Sequence, residues 1–96
     1  MIQQVIITAE APGAIKPLVE SAIRNQLKTL QHGINRTRER LAALEHQFGM
    51  PSDEFERKFT ARELDERLDF IDWLGEIKTL RLLQEQLNSL QVARIA

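Results

Sequence analysis

Apolar residues along this chain fall into three regimes of spacing. From Ile2 to Ala9 a β-branched run, Val5, Ile6, Ile7 and Thr8, ends at Ala11-Pro12-Gly13 and predicts a strand over about 2–9. From Ile15 to Phe48 the spacing changes: Ile23, Leu27, Leu30, Ile34, Thr37, Leu41, Leu44 and Phe48 alternate at intervals of four and three without a slip. That is the a/d seam of a coiled coil. Pro17 suits a helix's first turn, where its missing N–H costs nothing. Gly33 weakens helix propensity by about 1 kcal/mol against alanine, but the heptad phase runs through it. One helix over about 15–48 is therefore expected.

Gly49-Met50-Pro51 stops that helix. Ser52 is then the expected N-cap of a short helix over about 53–59, with Asp53, Glu54 and Glu56 at its positive end. Thr60-Ala61-Arg62-Glu63 has the capping-box form, so a further turn is expected there. A last helix over about 69–92 carries Phe70, Trp73, Leu74, Ile77, Leu80, Leu83, Leu87 and Leu90. Every aromatic residue (Phe48, Phe55, Phe59, Phe70, Trp73) lies in the central window. The window reads either as a hydrophobic plug closing a hairpin or, in part, as a recognition surface. Trp73 is expected against Leu44 and Phe48, and Gly75 against Ala42 and Ala43 as a close helix contact. The predicted fold is a mainly α single domain over 1–96: a long antiparallel helical hairpin with a short crossover helix.

Two features imply a partner. One strand leaves its backbone donors and acceptors unpaired, and the pattern offers no second strand. The hairpin arms are also unequal: with Phe48 opposite Phe70, the C-terminus reaches only about Ala22, so Ile15, Leu18 and Val19 project past it. A homodimer would meet both needs, with the N-terminal strand completed by dimerisation and Val5, Ile6, Ile7, Ile15, Leu18 and Val19 at its interface.

Composition narrows the chemistry. Cysteine is absent, which excludes disulfides and thiolate sites and fits a reducing, cytoplasmic setting. The start, MIQQVIITAEA, lacks a signal peptide's basic region, and no apolar run approaches a membrane span. Net charge is −1, so no global field steers the chain toward nucleic acid or membrane. His32 and His46, on one helix, are about 21 Å apart along its axis, too far to share an ion. Ser21, Ser52 and Ser89 have no histidine near them in sequence, and there is no P-loop or H-E-x-x-H motif. No cofactor or metal is implied, and the chain is not expected to be an enzyme.

Charge is nevertheless uneven. Residues 52–76 hold nine acids against four bases, net −5, whereas residues 1–51 hold four acids against six bases, net +2. Asp65, Asp69, Asp72 and Glu76 follow helical spacing and read as a solvated face, a docking surface for a basic partner or a carboxylate site. With Glu63, Phe55 and Phe59 they form the candidate partner-binding set. Arg36, Arg38 and Arg40 are the candidate nucleic-acid contacts. Strand followed by helix is the order of ribbon-helix-helix repressors, but no basic residue precedes Lys16, and the break between their helices would fall at Gly33.

Residues Leu41 to Leu83 resemble a group of short bacterial, cyanobacterial and archaeal proteins. The likeness centres on Phe48-Gly49-Met50-Pro51-Ser52-Asp53-Glu54-Phe55 and Asp69-Phe70-Ile71-Asp72-Trp73. The shared pattern is a basic helix, an aromatic-Gly-Met-x-Ser-x-Glu-Phe turn, a Glu-Leu pair (here Glu63-Leu64) and Asp-Phe-x-x-Trp. Where that group carries a glycine before Glu-Leu, this chain has Ala61-Arg62. Many of these proteins are uncharacterised and some are described as antitoxins encoded beside a small toxin. The resemblance implies a non-enzymatic protein-binding module, an antitoxin-type inhibitor of a small basic toxin. A dimeric DNA-binding regulator and a structural coiled-coil adaptor are the alternatives.

Overall fold

A computed structural model describes residues 4–5, 12–92 and 94–95. The elements are β1 (Gln4–Val5), α1 (Pro12–Phe48), α2 (Ser52–Thr60), α3 (Leu68–Gln91) and β2 (Arg94–Ile95). The fold is mainly helical, built on a pair of long helices. α1 is one unbroken helix of 37 residues, about 55 Å at 1.5 Å per residue, and sets the long dimension of a 59 × 22 × 18 Å molecule. α3 returns antiparallel to it: Phe48 meets Phe70, Arg40 meets Glu76, and Gly33 meets Leu83.

The heptad pattern decides which side chains are covered. Among the described residues of α1, those buried are Leu30, Ile34, Thr37 and Leu41, four consecutive seam positions. Gly33 stays helical, as the continuous phase requires. α1 begins earlier than expected, at Pro12, so Pro17 is inside the helix rather than in its first turn. Gly49 ends it at φ +66°, the left-handed conformation glycine adopts without strain.

Three local expectations are corrected. Ser52 is the first residue of α2, and no side chain of the preceding Pro51 caps it. Instead the Ser52 N–H donates to Glu45 Oε2 at 2.6 Å, so a carboxylate of α1 satisfies one of the free donors at the start of α2. Thr60-Ala61-Arg62-Glu63 starts no new turn. It closes α2, with Arg62 N–H donating to the Phe59 carbonyl and Glu63 N–H to the Lys58 carbonyl, the pair of bonds of a Schellman motif. Gly75 is exposed, and a Cβ added there would meet nothing within 4 Å. The close approach is at Gly33, where a Cβ would stand 3.2 Å from Leu83 Cδ1.

The N-terminal strand is seen only as β1. Gln4 pairs with Arg94 and Val5 with Ile95, in parallel and within one chain. The chain therefore does offer a mate for these two residues, contrary to the sequence reading. A pair this short gives no alternation for a pattern to reveal. Ile6, Ile7 and the rest of the expected strand lie outside the described residues.

Candidate functional site

All five aromatic residues meet where the crossover closes the hairpin. Trp73 is fully buried, its ring parallel to Phe55 with centroids 3.9 Å apart and stacked on Phe48 at 5.6 Å. Phe70 meets Phe48 edge-on at 5.1 Å, and Phe59 stacks on Phe55 at 5.3 Å. Trp73 Nε1–H donates to Ser52 Oγ at 3.0 Å, which gives the buried indole the polar partner it requires. The Arg67 guanidinium lies over the faces of Phe70 and Phe48, 5.0 and 5.6 Å from their centroids. The window is thus a structural plug, and Phe55, fully buried, is not available to a partner. Phe59 is partly buried against the same cluster.

The acidic residues do not form one continuous site. Asp65 precedes α3, so the expected four-carboxylate face is broken at its first member. Asp69 Oδ2 accepts from Arg67 Nη2 at 2.9 Å, and Glu76 Oε1 accepts from Arg40 Nη1 at 3.1 Å. Asp69 Oδ1 and Glu76 Oε2 are both buried without a hydrogen-bond partner. Glu63, Asp65 and Asp72 are exposed. Among the described residues no group of three or more histidines or carboxylates could hold a metal ion.

A further ion pair, not anticipated from sequence, ties the crossover to the returning helix. Arg81 donates two bonds to Glu56, one of them 2.6 Å from Nη1 to Oε2. The Arg81 hydrogen bonds hold the Glu56 carboxyl below its ordinary value, partial burial opposes them, and the charges of Arg81 and Lys78 add to the depression. Its 25-residue separation hides it from any local pattern.

On α1, Arg36, Arg38, Arg40, His32 and His46 are all exposed, and Arg40 is engaged by Glu76. Leu18 is 69% exposed, while Ile15 and Val19 are half-buried. Val5 pairs with Ile95. Among the described residues no helix is long and apolar enough to cross a membrane. Comparison with family models, curated proteins and solved structures gives no match to this chain.

Proposed function

We propose that this chain is a non-enzymatic protein-binding module that acts as a homodimer and inhibits a small basic toxin by covering its working surface. The observation that carries this reading is the set of apolar side chains left uncovered once the hairpin has closed, led by Leu68, Leu18, Leu82 and Ile71. Side chains of this kind contribute binding energy when a partner removes them from water. The acidic crossover adds charge complementarity to a basic, RNA-handling partner. The Ser52 hydroxyl is engaged by Trp73, and Asp69 and Glu76 each give one carboxylate oxygen to an arginine, Arg67 and Arg40.

The test is co-expression with a small toxin encoded beside the chain. Co-purification of the two and restored growth are the expected results, and unchanged toxicity would end the antitoxin reading. The exposed Arg36 and Arg38 favour a second reading, a dimeric DNA-binding regulator. A gel shift on its own upstream DNA at about 0.15 M salt separates the two, because non-specific phosphate contacts weaken steeply by that ionic strength.

A further inference from the structure

α3 has two faces. Phe70, Trp73 and Ile77 turn into the core. The opposite side carries Leu68, Ile71, Gly75, Lys78 and Leu82, at alternating intervals of three and four that set them in one line, apolar except for Lys78. Leu68 is 81% exposed, Leu82 54% and Ile71 50%. Between them Gly75 weakens the helix relative to alanine, and no contact within 4 Å of an added Cβ offsets that loss. A glycine in an exposed apolar line lets a second helix approach more closely than any side chain would.

The charges around this line are mainly acidic. Glu63, Asp65, Glu66 and Asp72 are exposed and make no ion pair among the described residues. The neighbouring arginines Arg67 and Arg81 are held by Asp69 and Glu56, which leaves Arg62 and Lys78 as the nearby exposed bases without an ion pair among the described residues.

We infer that the outer face of α3 docks a basic amphipathic helix of a partner protein. Leu68, Ile71 and Leu82 are its apolar anchors, Gly75 is the point of closest approach, and Glu63, Asp65, Glu66 and Asp72 meet the partner's lysines or arginines. This rests on the protein-binding reading and gives it a surface and a partner chemistry. The anchors are aliphatic, on α3, and not the plug residues Phe55 and Phe59. A second copy of this chain suits the face poorly, because it would set the same four carboxylates against each other. From Leu68 to Leu82 the line is about 21 Å long, so about four turns of partner helix cover it.

The probe is a labelled three-heptad peptide with leucine at a and d and lysine at the flanking positions. One control scrambles that composition to abolish the apolar face, and another replaces lysine with glutamate. Binding to the full-length chain is read by fluorescence anisotropy. The lysine peptide should bind at least about tenfold tighter than either control, and more weakly as salt rises. Leu68→Ser combined with Ile71→Ser should weaken it by about tenfold. Gly75→Leu should weaken it too while leaving the melting temperature unchanged or raised, which a folding defect would not do.

Equal binding of the three peptides, or binding that survives these substitutions, overturns the assignment. Binding lost in Leu18→Ser but kept in the α3 variants overturns it as well, while leaving the protein-binding reading intact. A dimer that dissociates in Ile71→Ser would give the face to a second copy and also overturn it. The wider reading is judged separately by co-purification with the toxin, so the two failures are distinguishable.

Discussion

Arg62 closes α2 at φ +59°, in the left-handed region where a side chain other than glycine is strained. It makes no ion pair among the described residues. Arg62→Gly should therefore stabilise the protein by up to about 1 kcal/mol, the relief of strain being partly offset by the greater freedom of glycine in the unfolded chain. An unchanged or lower melting temperature would contradict the turn geometry. The two glycines inside helices make a contrasting pair. Gly33→Leu should cost roughly 1–3 kcal/mol, because its first side-chain atom already presses on Leu83. Gly75→Ala meets open space and should gain up to about 1 kcal/mol of helix propensity. Sequence alone pointed to Gly75 because antiparallel register places it near Ala42 and Ala43. The level is nearly right, but α3 turns Phe70, Trp73 and Ile77 inward, and that rotation leaves Gly75 on the opposite side.

At the scale of the element, the seam and the glycine stop of α1 were legible and the cap of α2 was not. Leu30, Ile34, Thr37 and Leu41 repeat every three or four residues, and burial follows that repeat because a helix turns the same way wherever it packs. The cap of α2 is a tertiary event: Ser52 occupies the expected place, but its hydroxyl accepts from Trp73 while Glu45 takes its N–H. Ser52→Ala should thus act as the loss of a buried hydrogen-bond acceptor, costing about 1–3 kcal/mol as Trp73 Nε1 loses its partner. Glu45→Ala should remove the cap, at about 0.5–2 kcal/mol. If urea melts show that Trp73→Phe fails to abolish the effect of Ser52→Ala, the two residues are not coupled. The Glu56–Arg81 pair adds a pH dependence of known sign. Glu56 is held below its ordinary value of 4.5 in the folded state, so its stabilisation is complete above that value and fades as pH falls through the depressed one. The Arg81 side chain is exposed and Glu56 is only partly covered, so solvent screening keeps the effect small. Wild type should melt higher than Glu56→Gln at neutral pH, and the gap should close well below pH 4.5. A gap independent of pH would assign the loss to packing instead.

At the scale of the molecule, inequality of the two arms is the dominant feature. Gly33 lies beside Leu83 and Arg40 beside Glu76, and that register carried onward places Val92 beside about Arg24. The first three turns of α1 then extend past the end of α3, about 18 Å of helix, with Leu18 exposed and Ile15 and Val19 half-covered. Two paired residues in each of β1 and β2 make too small a sheet to stand alone. A second copy, packed about a two-fold axis, would cover the arm and extend the sheet; the four-helix bundle so formed is the assembly we predict. Leu18→Lys should raise the dimer dissociation constant while leaving the hairpin's helicity intact, because Leu18 is outside the core and its replacement is a good helix former. Deleting residues 1–11 should also weaken the dimer and promote precipitation, since it removes β1 while leaving the apolar arm in place. Sedimentation equilibrium of the three proteins over a range of concentrations measures both effects. A full-length chain that stays monomeric and folded at high concentration would refute the dimer, and the arm would then be free to receive a different protein's helix or sheet edge.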